Sequence, residues 1–207
     1  MSTAAEVARR LLQIKAIKLS PDAPFTWASG IESPIYCDNR IVLSYPEVRD
    51  YVKQALVAAA GQFDGIDLIA GVATAGISHG ALLADALALP FAYVRSKAKG
   101  HGRQNRIEGR IPKNSTILVI EDLISTGGSC LEAVAALRAE GHTVAGVLAI
   151  FTYGFARADA AFAKADVSYR TLSDYDHLIE QAVATDYVSA DDLSELQSWR
   201  TRTGTAR

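Results

Sequence analysis

Short apolar runs alternate with helical patterns through the middle of the chain, and this alternation constrains the fold more than any other feature. Five runs are predicted to be strands: 67–71, 91–94, 116–120, 144–151 and, more weakly, 167–172. Helical stretches separate them, including 77–89, which Pro90 stops, and about 130–140, for which Gly141 is the predicted C-cap. Continuous apolar runs are typical of parallel strands covered on both faces. The pattern therefore predicts an α/β fold with a doubly wound, mainly parallel sheet.

The composition favours one compact domain in a reducing compartment. Of the 207 residues, 49% are apolar and 21% charged, and the net charge of −2 argues against a nucleic-acid coat or a membrane-surface protein. No uncharged run reaches the roughly 18 residues of a spanning helix, and the N-terminus lacks a signal-peptide core. Cys37 and Cys130 are far apart and fit neither a disulfide framework nor a zinc motif. We expect a cytoplasmic protein without membrane or nucleic-acid partners.

The two ends of the chain predict smaller elements. In chain order these are a helix at 3–14, β-like pieces at 25–27 and 34–37, a helix from a Ser44–Glu47 capping box to about residue 60, and a helix from a Ser189–Asp192 cap to about residue 199. The last residues are expected to fray.

The strongest chemical signal is the segment Glu121-Asp122-Leu123-Ile124-Ser125-Thr126-Gly127-Gly128-Ser129. We expect a buried strand to end in two adjacent carboxylates, and a loop of small residues to open into a helix capped by Ser129 and Glu132. The free N–H groups of such a helix start bind phosphate, and glycines let the anion approach the backbone. The carboxylates suit ribose hydroxyls, a magnesium ion or positive charge developing on a sugar. No lysine follows the glycines, so this is not the loop of ATP and GTP hydrolases.

Two further segments support a ligand that carries phosphates at two places. Residues 95–110 hold six Lys or Arg, one Glu and three Gly, which indicates a mobile cationic flap able to close over a polyanionic leaving group. An ordinary solvated loop is the alternative. Residues 71–76 form a turn of small residues that could donate to a second phosphate or serve only tight packing. His79, His142 and His177 lack metal-ligand spacing and are expected to be structural.

Residues 121–129 resemble the signature loop of the type I phosphoribosyltransferases, which bind 5-phosphoribosyl 1-diphosphate (PRPP). Segments 25–40 and 95–102 are similar to the members of that family that act on orotate, and the similarity continues through 150–154 and 173–176. The resemblance implies a homodimeric enzyme that, with Mg²⁺, converts orotate and PRPP into orotidine 5′-monophosphate and pyrophosphate, a step of pyrimidine biosynthesis.

The same resemblance implies a type I phosphoribosyltransferase fold in one domain, residues 1–207. Its core covers about 46–172, and its small hood covers about 1–45 together with C-terminal elements.

Position by position, the resemblance also implies roles for the site residues. The PRPP-binding positions are Arg95, Lys99, His101, Glu121, Asp122, Leu123, Ile124, Ser125, Thr126, Gly127, Gly128 and Ser129. Glu121 and Asp122 would lie at the ribose hydroxyls. With Lys99 and His101, on a flap that reaches into the neighbouring subunit's site, they are the implied catalytic residues. Ser125 falls where the family contacts orotate, and no side chain is implied as a metal ligand.

Four positions depart from the family pattern. Ala28, Ala75 and Ser96 stand where many members have lysine, and Tyr153 stands where many have arginine. Orotate and pyrophosphate would then depend more on backbone donors and on the flap. Two other interpretations stay open: a phosphoribosyltransferase for another nucleobase, and a PRPP-sensing regulator that binds nucleic acid.

Overall fold

In the computed structural model of the protein, residues 1–27, 30, 32–95 and 106–205 are described. The helices are α1 (Thr3–Gln13), α2 (Pro46–Ala60), α3 (Ala75–Leu87), α4 (Gly128–Ala139), α5 (Ala156–Lys164), α6 (Tyr175–Ala184) and α7 (Leu193–Thr205), and a 3-10 helix spans Asn39–Ser44. The strands are β1 (Ile17–Leu19), β2 (Phe25–Thr26), β3 (Glu32–Ser33), β4 (Ile35–Cys37), β5 (Leu68–Val72), β6 (Phe91–Val94), β7 (Ile107–Glu108), β8 (Thr116–Ile124), β9 (Thr143–Thr152) and β10 (Tyr169–Asp174).

The central sheet has six strands in the order β10-β9-β8-β5-β6-β7. All neighbours pair in parallel except β7, which pairs antiparallel with β6. Two small antiparallel sheets, β1 with β4 and β2 with β3, lie outside it. The predicted α/β fold with a mainly parallel sheet is confirmed. Across the described ranges, no helix is both long and apolar enough to span a bilayer.

Both faces of the sheet are buried, which explains why its strands lack polar alternation. Leu118 and Leu148 face one hydrophobic cluster, which α1, α2 and α6 cover. Their neighbours Val119 and Val147 face a second cluster, which α4 and α5 cover. Successive strand residues point to opposite faces, so a strand between two helical layers must be apolar at every position.

Both predicted capping boxes in the first two-thirds of the chain are wrong. Helix α2 has Tyr45 at its N-cap with no side-chain hydrogen bond, and Pro46 in its first turn opens the helix. Helix α4 begins at Gly128 with Gly127 as its N-cap, so the predicted Ser129 cap lies inside the helix. The backbone conformation of the preceding residue decides where these helices start, and the S-x-x-E pattern alone does not report it.

The predicted C-terminal cap is confirmed, but the helix that follows is longer than expected. Ser189 N donates to Asp192 Oδ2 at 2.9 Å, and Asp192 N donates to Ser189 Oγ at 3.3 Å. Helix α7 then continues to Thr205 rather than ending near residue 199. The last turn of α7 packs closely against Phe155. Gly204 is buried there, and a Cβ at this position would lie only 3.2 Å from the Phe155 ring. Of residues 201–207, for which the sequence predicts fraying, 201–205 are helical, and 206 and 207 lie outside the described residues.

Candidate active site

Strand β8 extends through Glu121 and Asp122 to Ile124. The prediction that the strand ends before these two acids is therefore wrong. Its pairing with β5 ends at Ile120, but its pairing with β9 continues through Glu121 opposite Ala149 and on to Ile124. Strand β9 is long enough to support these four extra residues. The acids therefore lie on a strand that is hydrogen-bonded on one side, at the carboxyl end of the sheet, where α/β folds bind ligands.

Glu121 is a buried carboxyl group in a network of donors. The Asp122 N–H donates to Oε1 at 3.1 Å, Ser129 Oγ donates to Oε2 at 3.0 Å, and Cys130 Sγ lies 3.7 Å from Oε2. Burial, followed by the charge of Asp122, raises the pKa of Glu121 to about 8. Glu121 is thus mainly protonated at neutral pH, and its neighbour Asp122 is half-buried.

The loop between β8 and α4 forms an open cradle. Thr126, Gly128 and Ser129 are exposed, so no side chain among the described residues covers the start of α4. The first N–H groups of a helix have no partner within the helix, and here they belong to residues at an exposed loop. This is the geometry of an anion site at a helix N-terminus. Within the part of the chain that the structure describes, no side chain blocks the predicted phosphate cradle.

The two glycines of this loop have different roles. Gly127 has a φ of +80°, and a Cβ there would lie 2.6 Å from the Phe162 ring, so packing and backbone conformation both require glycine. A Cβ at Gly128 would meet nothing closer than Thr126 Oγ1 at 3.8 Å. The prediction that the glycines clear space for an anion is therefore wrong for Gly127, whose missing Cβ clears space for Phe162.

The turn at residues 71–76 supports the packing interpretation of its glycines. A Cβ at Gly71 would lie 2.7 Å from the Gly76 carbonyl oxygen, and a Cβ at Gly76 would overlap the Ile120 carbonyl oxygen. These contacts bring the start of α3 against the point where β8 loses β5 as its neighbour. Ala75, one of the positions that departs from the family pattern, is the first residue of α3 and presents its backbone at the same edge.

The two stems of the basic segment are joined as a hairpin. Arg95 N donates to the Arg106 carbonyl at 2.8 Å, and Arg106 Nε donates to the Arg95 carbonyl at 3.1 Å. The Arg95 guanidinium lies 3.4 Å from Glu108, and Arg106 pairs with Glu132 of α4 at 2.8 Å. Arg95 thus lies at the carboxyl end of β6, as predicted. Lys99, His101 and Ser96 lie outside the described residues, and so does Ala28 of the hood.

Tyr153 lies inside an aromatic cluster. Its ring stacks on Trp27 with centroids 5.4 Å apart, and it meets Trp199 edge-on at 6.2 Å. Trp199 Nε1 in turn donates to the Glu32 carbonyl at 3.2 Å, which joins α7 to the β2–β3 hairpin. Burial, then the charges of Cys37 and Asp122, raises the pKa of Tyr153 well above its usual value. The position that carries arginine in many relatives here carries a neutral ring.

Two buried polar residues beside Asp122 were not singled out by the sequence as part of the site. Asn39 Nδ2 donates to the Asp122 carbonyl at 2.8 Å. His79, one turn along α3 from Gly76, is buried nearby, and burial lowers its pKa while the charge of Asp122 opposes that shift. Asn39 lies in segment 25–40, where the family resemblance assigned it no role of its own, and an isolated histidine on a helix is expected to be structural. Only their position in the fold connects them with the acids.

Comparisons with known proteins agree with this arrangement of the sheet and loop. Residues 42–187 match the phosphoribosyl transferase domain family, which covers more than half of the chain. The chain thus has the fold of a phosphoribosyltransferase.

Similarity to individual proteins defines the branch of this class. The chain is 54% identical over 201 residues to an orotate phosphoribosyltransferase of Lactococcus lactis, covering 97% of this chain and 96% of that one. It is also 54% identical over 195 residues to an orotate phosphoribosyltransferase of Bacillus subtilis, covering 94% and 90%. A crystal structure of orotate phosphoribosyltransferase from Aeropyrum pernix matches with a TM-score of 0.76 at 28% identity, over 88% of this chain and 99% of that one. The chain belongs to the orotate phosphoribosyltransferase family.

Proposed function

We propose that this protein transfers the 5-phosphoribosyl group from PRPP to orotate, giving orotidine 5′-monophosphate and pyrophosphate. The observation that carries the proposal is the exposed anion cradle at the start of α4, which directly follows the acid pair Glu121–Asp122, in a chain 54% identical to orotate phosphoribosyltransferases over nearly its whole length. A phosphate and a sugar fit side by side at such a place, because one needs N–H donors and the other needs an acceptor for its hydroxyls.

The 5-phosphate of PRPP is proposed to bind the loop Ser125–Ser129. The orphan N–H groups of α4 and the hydroxyls of Thr126 and Ser125 donate to its oxygens, and the positive end of the helix dipole favours its charge. Ser125 is half-buried at the inner side of the loop, which supports its proposed contact with orotate. Leu123 and Ile124 are the last two residues of β8 and lie directly before the loop.

The ribose is proposed to lie over Glu121 and Asp122. The half-buried Asp122 carboxylate accepts from the ribose hydroxyls directly. Glu121 acts indirectly, by holding the loop, because its oxygens already accept hydrogen bonds from Ser129 and from the Asp122 N–H. The pair therefore combines one charged acid at the sugar with one mainly neutral acid that fixes the loop around it.

The diphosphate is proposed to meet Arg95 and, from the flap, Lys99 and His101. Arg95 can leave Glu108, since the pair is 3.4 Å long and the Arg95 side chain is 38% exposed, so that solvent weakens the attraction. Mg²⁺ suits a site of oxygen donors and would be held by the diphosphate oxygens, as is common for this ion. The described residues include no group of three or more His, Cys, Asp or Glu side chains that could hold a metal ion. When bound, the ion neutralises negative charge on the diphosphate.

The chemistry breaks the bond between the anomeric carbon and pyrophosphate, joins that carbon to a ring nitrogen of orotate, and releases the proton of that nitrogen, which the departing pyrophosphate or water can take up. By analogy with other glycosyl transfers, positive charge develops on the ribose in the transition state. Asp122 stabilises that charge, and Arg95, Lys99 and His101 stabilise the charge on the leaving group. An aimed charge of this kind typically contributes about 3 kcal/mol, or roughly a hundredfold in rate.

The hood, the oligomeric state and the cellular location of the enzyme are also proposed. Residues 1–45 with the C-terminal helices form a hood over the base, supported by the contact between Trp199 and Glu32. Two copies form a homodimer in which each flap serves the neighbouring site. The two cysteines, Cys37 and Cys130, are both free, which favours a reducing cytoplasm.

The test is to mix the protein with orotate, PRPP and Mg²⁺ and to follow the loss of orotate's ultraviolet absorbance. Adenine, guanine, hypoxanthine and uracil in place of orotate test for another base. Asp122→Asn should lower kcat about a hundredfold with little change in melting temperature, whereas the exposed variant Glu47→Gln should not. Turnover of another base in preference to orotate, or none with any base, would refute the proposal.

A further inference from the structure

A hydrogen bond joins the hood to the catalytic strand across 83 positions of the chain. The side-chain Nδ2 of Asn39 donates to the backbone carbonyl of Asp122 at 2.8 Å. Asn39 is fully buried and is the first residue of the 3-10 helix that follows hood strand β4. Asp122, the less buried residue of the acid pair, therefore has its main chain held by a residue from another part of the fold.

The Asp122 carbonyl needs a partner because its strand has lost one neighbour. Alternate residues of a regular strand direct their carbonyls to the same side, and the Thr116 carbonyl accepts from Asp67 N next to β5. The Asp122 carbonyl, six residues further along, belongs to the same set, but pairing with β5 ends at Ile120. Asn39 supplies there the donor that the sheet no longer supplies, and an unpaired buried carbonyl would cost stability.

The burial of Asn39 with an unpaired polar atom indicates that its hydrogen bond to the Asp122 carbonyl does more than fill space. Asn39 Oδ1 and His79 Nε2 are both buried without a hydrogen-bond partner among the described residues. An apolar side chain would fill the same space without such unpaired atoms, each of which typically costs about 1–3 kcal/mol. Native proteins keep few groups of this kind, and each needs an explanation. Here both lie beside one residue, Asp122, at the site.

We propose that Asn39 is a positioning residue for the reaction: its amide holds the Asp122 peptide so that the Asp122 carboxylate meets the ribose. The proposal rests on the proposed function and adds to it a residue from the hood. Because Asn39 lies two residues after β4, this hydrogen bond connects the hood that is proposed to cover the base with the acid that is proposed to meet the sugar. Asn39 touches neither substrate nor reacting atoms.

The test compares Asn39→Asp and Asn39→Ala with the parent in orotate turnover between pH 5 and 9, with a thermal melt of each protein. Asn39→Asp keeps the shape. Burial and the neighbouring Asp122 should raise the pKa of its introduced carboxyl above the ordinary value of about 3.9, so that it donates to the Asp122 carbonyl at low pH but not once it is ionised. We expect parent and Asn39→Asp to have similar kcat at pH 5, and their ratio to grow to about 10- to 100-fold at high pH. Asn39→Ala should have kcat lowered by a similar factor at every pH, with a smaller change in KM for PRPP.

Ser44→Ala, an exposed change in the same 3-10 helix, is the matched control and should follow the parent throughout. A purely structural role would lower the melting temperatures of the Asn39 variants and leave the pH profile of Asn39→Asp parallel to that of the parent. That result, in an active parent, would overturn the role of Asn39 alone. A parent inactive with every base would overturn the proposed function as well.

Discussion

Ser129 Oγ donates a hydrogen bond to Glu121 Oε2 at 3.0 Å, and this bond spans the whole anion loop. Glu121 lies on the strand before the loop and Ser129 in the first turn of the helix after it. The bond fixes the distance between the two supports of the cradle. Ser129 does not cap the helix, because α4 already begins at Gly128.

The stability of the Glu121→Gln variant should increase relative to that of the parent as pH rises. The folded pKa of Glu121, about 8, lies above the ordinary 4.5, so between these values the folded state holds a proton that the unfolded state has released. The parent therefore loses unfolding free energy as pH rises from about 4.5 through 8, by up to a few kcal/mol. The variant lacks this loss, and thermal melts from pH 4.5 to 9 measure the difference.

Glu47→Gln, on the exposed first turn of α2, is the control for this prediction, and its difference from the parent should not vary with pH. If the difference between Glu121→Gln and the parent were also constant from pH 4.5 to 9, the folded pKa of Glu121 would not be raised.

Alanine at the two loop glycines should separate folding from binding. Gly127→Ala forces a Cβ into the Phe162 ring at a φ of +80°, so we expect a loss of about 1–3 kcal/mol in unfolding free energy. Gly128→Ala meets only Thr126 at 3.8 Å and should keep the parent's stability while raising KM for PRPP, because its methyl group enters the open cradle. Urea unfolding and steady-state kinetics of both variants measure this. Equal stabilities would contradict the packing role of Gly127.

The sequence was sufficient for the sheet because its strands are buried on both faces. Such strands appear as uninterrupted apolar runs, and Phe91–Val94 begins and ends where predicted. The extension of β8 through Glu121 to Ile124 was not predictable, because two adjacent acids resemble a strand end unless the length of neighbouring β9 is known.

The candidate site was predictable to the extent that its residues are adjacent in the chain. The acids and the loop through Ser129 form one segment, so their pattern is visible. Asn39 is 83 positions from Asp122, and nothing near it in sequence indicates a contact. The environment of Glu121 was hidden for the same reason: its raised pKa comes from burial under a loop, which only the fold produces.

Tyr153→Ala should detach the hood from the core. The ring lies between Trp27 and Trp199, and losing a buried aromatic side chain typically costs about 3–5 kcal/mol. We expect a large fall in melting temperature and a higher KM for orotate. Tyr153→Phe keeps the ring contacts and should remain within about 1 kcal/mol of the parent. Equal melting temperatures for the two variants would show that the cluster does not hold the hood.

Lys99→Ala should lower kcat about a hundredfold while changing the dissociation constant for PRPP much less. The proposed flap closes over the diphosphate as its charge develops, so its lysine stabilises the transition state more than the bound substrate. Isothermal titration with PRPP and steady-state turnover separate the two quantities. Lys164→Ala, at the exposed end of α5, controls for loss of a positive charge elsewhere. Equal turnover in Lys99→Ala and the parent would rule out the proposed catalytic role of the flap.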